Sequence, residues 1–286
     1  MFFGGRLFES HPLTILNAPG PVSNVSSRTL TLGSRAVGGW SRALHAYAQR
    51  EKDLILSSVE TEKPRDEQSI GIPVQVTIDG PYGGCSIDLG EYETVLLLSG
   101  GSGVTFTLGM LDDIVGRVVR LGREGGERTK RIEFAWCIRS FGGYHQGRIG
   151  PGFHLLIKVA AGHIHWVAPM LMDIASVAAG CSSIDIHVSI FVTCLCDPEA
   201  VPQIPNSVVT MERPSTHQLL NDMITPPVGD AADGLRWVGL GGGLGVCASG
   251  PSELTREMAN AVAKLSLSRS AEEVGGVGLH TETFVL

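Results

Sequence analysis

The pattern of apolar and polar positions changes near residue 90. Ahead of it, apolar stretches are short and broken by turns. Residues 29–37 read as a strand, and Gly38-Gly39-Trp40-Ser41 opens a short helix through Leu44, Tyr47 and Ala48. Residues 49–70 are charged and polar and read as a solvated loop, while Val74 to Ile78 alternates as a half-buried strand does. Asp79-Gly80-Pro81-Tyr82-Gly83 closes that run with turn chemistry. Strands without long helices predict part of a β domain.

From Glu91 onward strands and helices alternate, which predicts a doubly wound parallel sheet. Val95 to Leu98 is an unbroken apolar run, the mark of a strand buried on both faces. It runs into Ser99, Gly100, Gly101, Ser102 and Gly103, and apolar positions then recur at Val104, Leu108, Leu111, Val115 and Val118, at helical spacing. Ile132 to Ile138 is the next predicted strand, followed by Arg139, and a helix is predicted through Trp166, Met170, Ile174 and Val177. Ile184 to Thr193 alternates cleanly, so that strand has one less apolar face. Residues 197–209 are proline-rich and read as a loop, with a short helix at Gln218 to Ile224. Trp237 to Ala248 is the last predicted core strand, and its glycines allow close approach to its backbone. Ser252 then serves as the N-cap of a helix carrying Leu254, Met258, Val262 and Leu265 on one face.

Composition narrows the function classes. A hydrophobic fraction of 43% in 286 residues is enough for a real core, and a net charge of −7 argues against a general nucleic-acid binder. The six cysteines (85, 137, 181, 194, 196 and 247) form no CxxC and no regular framework, so they read as reduced thiols. Cys194-Leu-Cys196 offers only two ligands, and no metal site is expected. No run approaches the ~18 apolar residues of a membrane span, and Met1 to Leu7 lacks the apolar core of a signal peptide. Taken as written, the chain is expected to be soluble.

The strand, glycine turn and helix at 95–118 form a build that aims unpaired helix N–H groups and the positive dipole end at a phosphate. The same build also packs a helix against a sheet with no ligand at all. Four stretches in order add to it: His11-Pro12-Leu13-Thr14, Gly80-Pro81-Tyr82-Gly83, Gly100-Gly101-Ser102-Gly103-Val104-Thr105 and Ser249-Gly250-Pro251. Together they resemble the ferric reductase/NADPH oxidase family, and more narrowly the cytosolic half of a fungal ferric-chelate reductase, truncated at its N-terminus. The resemblance covers nearly the whole chain, with gaps at 50–70 and 143–162. It implies a ferredoxin-reductase-like fold: an incomplete antiparallel FAD barrel over residues 1–89, then an α/β NAD(P)-binding domain with a parallel sheet over 90–286. It also implies electron flow from NADPH to FAD, and in full-length members on to haems in a membrane domain and to a ferric or cupric chelate. By the same resemblance the setting is the cytosolic face of the plasma membrane.

Carried onto this chain, His11, Pro12 and Thr14 match the motif that holds the isoalloxazine, with Leu13 where the family usually has an aromatic. Trp40 and Ser41 resemble the second FAD contact, at the flavin phosphates. Gly100, Gly101, Ser102, Gly103, Val104 and Thr105 would hold the NADPH pyrophosphate, with Thr105 adding a hydroxyl. The second strand is followed by Arg139 rather than an acidic residue, which suits a 2′-phosphate and favours NADPH over NADH. Arg213 resembles a second arginine near that phosphate. Beside the nicotinamide many relatives have Cys-Gly-Pro, whereas this chain has Ser249-Gly250-Pro251, with Cys247 two residues earlier. Phe284 matches the C-terminal aromatic that shields the flavin.

Residues 143–162 sit where relatives pass straight from strand to helix, and a structureless insertion of that size is unusual in a compact domain. They are expected to be retained intron or a lineage-specific insert; transcripts that uniformly contain them would exclude the first. The front lacks the first barrel strands, so weak FAD binding is expected, and stoichiometric FAD in purified protein would contradict it. The expected function is an NADPH-dependent metalloreductase module. The alternatives are a superoxide-forming NADPH oxidase module, which shares every motif, and a catalytically inactive nucleotide-binding fragment.

Overall fold

The computed structural model describes residues 10–25, 29–36, 38–58, 71–74, 76–138, 156–160, 164–193, 203–225 and 241–284. In chain order the elements are β1 (Thr14–Ile15), β2 (Thr31–Arg35), α1 (Gly39–Ser58), β3 (Thr94–Gly100), α2 (Val104–Val119), β4 (Arg131–Ile138), β5 (Leu156–Ala160) and α3 (Ile164–Ala179). They continue with β6 (Asp185–Val192), β7 (Ser207–Thr210), α4 (Thr216–Ile224), β8 (Leu244–Gly250), α5 (Ser252–Ser266), α6 (Arg269–Glu273) and β9 (Val277–Thr283). This is an α/β fold built on a six-stranded sheet of order β7-β6-β4-β3-β8-β9, with every pairing parallel.

Parallel strands need helical crossovers, and the crossovers cover both faces of the sheet. On one face Val95 and Leu97 of β3 join Phe134 and Trp136 of β4, Leu108 and Leu111 of α2, and Leu171 and Ile174 of α3 in one core. On the other, Leu96 and Leu98 pack with Leu220 and Met223 of α4 and Met258 and Val262 of α5. All seven residues of β3 are buried, as its unbroken apolar run requires. In β6, Ile186, Val188, Ile190 and Val192 are buried while Asp185, His187 and Ser189 are half-buried, which matches the alternation in the sequence.

The front of the chain forms a three-stranded sheet, order β1-β2-β5, in which β1 and β2 are antiparallel and β2 and β5 parallel. It is tied to α2 by one buried carboxylate. Asp112, fully buried in α2, accepts from Ala18 N–H at 2.8 Å, Ser23 Oγ at 2.7 Å, Asn24 N–H at 2.7 Å and Asn24 Nδ2 at 3.2 Å. Gly116 and Gly109 make room for this segment: a Cβ on Gly116 would overlap Val22 O, and one on Gly109 would lie 3.0 Å from Ile15 O. Leu16 and Val25 thereby enter the core under the parallel sheet.

Several local expectations are corrected. The helix opened by Trp40 and Ser41 does not stop near Ala48 but runs to Ser58, because its charged half lies on solvent. Residues 74 and 76–78 form no strand: Val76 and Ile78 are exposed and have no ladder partner among the described residues. The proline-rich stretch gives way to a short edge strand, β7, and the tail is a seven-residue strand, β9. Pro251, not Ser252, is the N-cap of α5, and it makes no side-chain cap bond. Of residues 143–162, Leu156–Ala160 form β5 and so are not structureless; residues 143–155, 161 and 162 lie outside the described residues.

Candidate functional site

The sheet order places a topological switch at its centre. From β3 the chain moves outward through β4, β6 and β7, then returns to β8 on the other side of β3. In open α/β sheets such a reversal leaves a crevice at the carboxyl ends of the two central strands. The glycine turn leaves the end of β3, and Ser249-Gly250-Pro251 leaves the end of β8. The structure therefore brings together two motifs that lie far apart in the chain.

Their contact is backbone against backbone. A Cβ on Gly103 would fall on Ser249 O and C, the next nearest atom being Gly250 N at 2.7 Å. Gly103 itself has helical dihedrals (φ −57°, ψ −19°), so glycine is needed there for space alone. Gly250 needs it for both reasons: its φ is +148°, and a Cβ would lie 3.0 Å from Gly100 N and O. On the far side of the turn the buried Trp136 donates from Nε1 to Gly101 O at 3.2 Å. Gly101 sits at φ +54° with open space where a side chain would go.

The start of α2 carries no side-chain cap, and Val104 N–H turns back to Gly101 O and Ser102 O. Thr105 donates its hydroxyl to Ser102 O at 2.9 Å, within the turn. That leaves backbone N–H groups and the dipole of a sixteen-residue helix as the groups offered to an anion. A pyrophosphate fits this cradle, which has glycine on the approach and no acidic residue in the first turn of α2.

Phe284 joins the same end of the sheet: its N–H donates to Gly250 O at 2.9 Å, just after Thr283 pairs with Gly250. Ser249 is fully buried, and its Oγ has no hydrogen-bond partner among the described residues. Cys247 is placed differently from the sequence expectation. It is fully buried in the core under α2, against which Cys85 also packs. Arg213 follows β7 and forms an exposed pair with Glu257 at 3.5 Å. Its charge acts on Cys137, the register partner of Gly100, which puts the arginine on the same end of the sheet. Arg139 lies outside the described residues, as do Cys194 and Cys196.

The residues expected to hold FAD form a second group at the front. The rings of His11 and Trp40 stack with centroids 4.5 Å apart. Thr14 lies on β1 opposite Gly33, Pro12 is exposed, and Ser41 Oγ donates to Gly38 O at 3.2 Å at the start of α1. His11 and Trp40, remote in sequence, are thus neighbours at the surface. Two supporting residues were not expected: Trp136 as a strut for the turn, and Asp112 as the anchor of the front segment. A tryptophan at a strand end gives no such signal, and the partners of Asp112 are 88–94 residues away. Among the described residues no group of three or more His, Cys, Asp or Glu could hold a metal ion, and no helix is long and apolar enough to cross a membrane.

Comparison with curated proteins finds sequence relatives for about half of the chain. A respiratory burst oxidase homolog protein D from Solanum tuberosum is 30% identical over 148 residues, covering 48% of this chain and 16% of that protein. Ferric reduction oxidase 4 from Arabidopsis thaliana is 24% identical over 135 residues, covering 47% and 15%. Its homologues are respiratory burst oxidases and ferric reduction oxidases. The chain spans about a sixth of the length of these relatives. No family model matches. Among solved structures, the CS-b5R domains of human Ncb5or (NAD+ form) overlap 71% of this chain and 39% of that one, at 11% identity and a TM-score of 0.34, too loose a likeness to carry an argument.

Proposed function

We propose that this chain is an oxidoreductase module that takes a hydride from NADPH and passes electrons through FAD towards a ferric or cupric chelate. The observation that carries the reading is the meeting, at the switch point, of the glycine turn at the end of β3 with Ser249-Gly250-Pro251 at the end of β8. Homology to ferric reduction oxidases and respiratory burst oxidases supports the same class. The narrower likeness to fungal ferric-chelate reductases is part of the proposal.

Each residue then has a task. Gly100 to Gly103 and the first turn of α2 hold the pyrophosphate by backbone N–H groups. Arg139 and Arg213 select the 2′-phosphate. Ser249, Gly250 and Pro251 shape the crevice wall beside the nicotinamide, and Phe284 covers the flavin side. His11, Pro12, Thr14, Trp40 and Ser41 hold the flavin. The cofactors supply the redox chemistry, and the protein supplies stacking, orientation and exclusion of water.

The test is NADPH oxidation with ferricyanide as acceptor, with and without added FAD, on the purified chain. FAD-dependent turnover that falls at least tenfold with NADPH but not NADH in Arg139→Ala supports the reading. NADPH binding without turnover would leave a nucleotide-binding module and refute the reductase. A second reading, a superoxide-forming oxidase module, is favoured by the higher identity to the burst oxidase, 30% against 24%. Superoxide formed in air without added chelate would select it.

A further inference from the structure

Behind the switch point lies a pair of cysteines that the proposed reaction does not use. Ser86, next to Cys85, is fastened to β9 by its backbone N–H, which donates to His280 Nδ1 at 3.1 Å; its Oγ lies 2.9 Å from the same nitrogen. His280 is the register partner of Cys247 on β8. This attachment brings Cys85 beside Cys247, and the two thiols pack in the same core and influence each other's titration. Both are unbridged. Cys247 is fully buried, whereas Cys85 is half-buried and lines an open cavity of about 370 Å³ together with Met110, Ile114 and Arg117. One thiol of the pair faces a path to solvent and the other does not.

We propose that Cys85 and Cys247 form a peroxide-sensitive dithiol, in which a hydroperoxide entering the cavity oxidises Cys85 and Cys247 then closes a disulfide with it. In the first step the Cys85 thiolate attacks one peroxide oxygen. The S–O bond forms, the O–O bond breaks, and the departing hydroxide takes a proton to leave as water. In the second step the Cys247 sulfur attacks the sulfenic sulfur of Cys85. The S–S bond forms, the S–O bond breaks, and the second water carries away the Cys247 proton. Two thiols lose two electrons and one hydrogen peroxide becomes two waters.

The surroundings assign the two roles. The neighbouring Cys247 thiol brings the Cys85 thiol down to about 7, so a large share of it is the nucleophilic thiolate at neutral pH. Cys85 beside it, together with burial, pushes the Cys247 thiol up and keeps it protonated. Cys181 also has a lowered pKa, from its contact with Ser183, but its neighbour at 3.1 Å is a hydroxyl that cannot close a disulfide.

The test treats the purified, folded chain with hydrogen peroxide, alkylates the remaining thiols and maps the peptides without reduction. A cross-linked peptide pair containing Cys85 and Cys247 should hold most of the Cys85, and it should disappear with dithiothreitol. In Cys85→Ser, Cys247 should stay alkylatable once the chain is unfolded after treatment. Full alkylation of both cysteines in the treated wild type would overturn the proposal, and so would pairing of Cys85 with any other cysteine.

Discussion

Replacing Gly103 by alanine should separate crowding from backbone preference at the switch point. The dihedrals of Gly103 suit any residue, so the added methyl acts only through space. It would overlap Ser249 O and C and lie 2.7 Å from Gly250 N, all main-chain atoms held by β8 pairing on both sides. No side chain can rotate away. The two turns must part by about 1 Å to restore ordinary contact, and overpacking of this kind costs about 1–3 kcal/mol. With rigid backbone opposite, we expect the upper figure, or a urea midpoint lowered by about 1–2 M. Gly101→Ala is the control: its side chain meets open space, and it bears only the left-handed penalty at φ +54°, about 1–2 kcal/mol. Urea unfolding followed by tryptophan fluorescence gives both midpoints. Ferricyanide turnover with NADPH should fall about 100-fold in Gly103→Ala, since a displacement near 1 Å disturbs ring alignment to that degree. A Gly103→Ala midpoint at or above that of Gly101→Ala would refute the reasoning, because it would mean the turns are not in hard contact.

Asp112→Ala should lower stability by about 3–5 kcal/mol, since it strips several buried donors of their acceptor at about 1–3 kcal/mol each. Amide exchange should rise first over residues 17–25, and uniform protection there would contradict it. Trp136→Phe keeps the packing but removes the bond to Gly101 O, so we expect a loss of about 1 kcal/mol and a severalfold weaker NADPH affinity by calorimetry. His187, whose Nδ1 lies 2.9 Å from Glu133 Oε2, has its pKa raised by that hydrogen bond; the charge of Asp185 adds to the shift, while burial and Arg131 oppose it. Its stabilisation is fully present below the unfolded value of about 6.5 and is lost as pH rises through the higher folded value. The advantage of wild type over His187→Asn should therefore be larger at pH 5.5 than at pH 8.5, and equal urea midpoint differences at the two pH values would exclude this.

The centre of the sheet was readable because burial on both faces leaves an unmistakable record. Val95 to Leu98 could only be a buried strand, and Val104, Leu108 and Leu111 could only face it as a helix. Edges leave a fainter record. β7 is four residues beside a proline-rich stretch, and the charged half of α1 resembles a loop because a helix face on water carries no apolar period. Val76 and Ile78 show the converse, part of an alternating pattern with no partner strand among the described residues. At the site, Gly100 to Gly103 and Ser249 to Pro251 could be named from their motifs. That Gly103 touches Ser249 could not, because the contact depends on β8 returning beside β3. Asp112 was hidden for the same reason: in its own helix it is simply one of two adjacent aspartates.

That buried aspartate governs how the chain can be cut and spliced. A border at residue 90 separates the two halves by texture, yet Asp112 lies on one side of it and all its donors on the other. A nucleotide-binding domain excised at that border would keep a carboxylate facing its own bare helix surface, with Gly109 and Gly116 forming an empty trough. A graft of a foreign flavin half would have to bring along two main-chain N–H groups, a hydroxyl and a side-chain amide at matching points. The smallest portable unit is therefore α2 and its sheet together with residues 16–25, so a chimaera joined before Leu16 would inherit a complete seam, and one joined after Val25 a torn one.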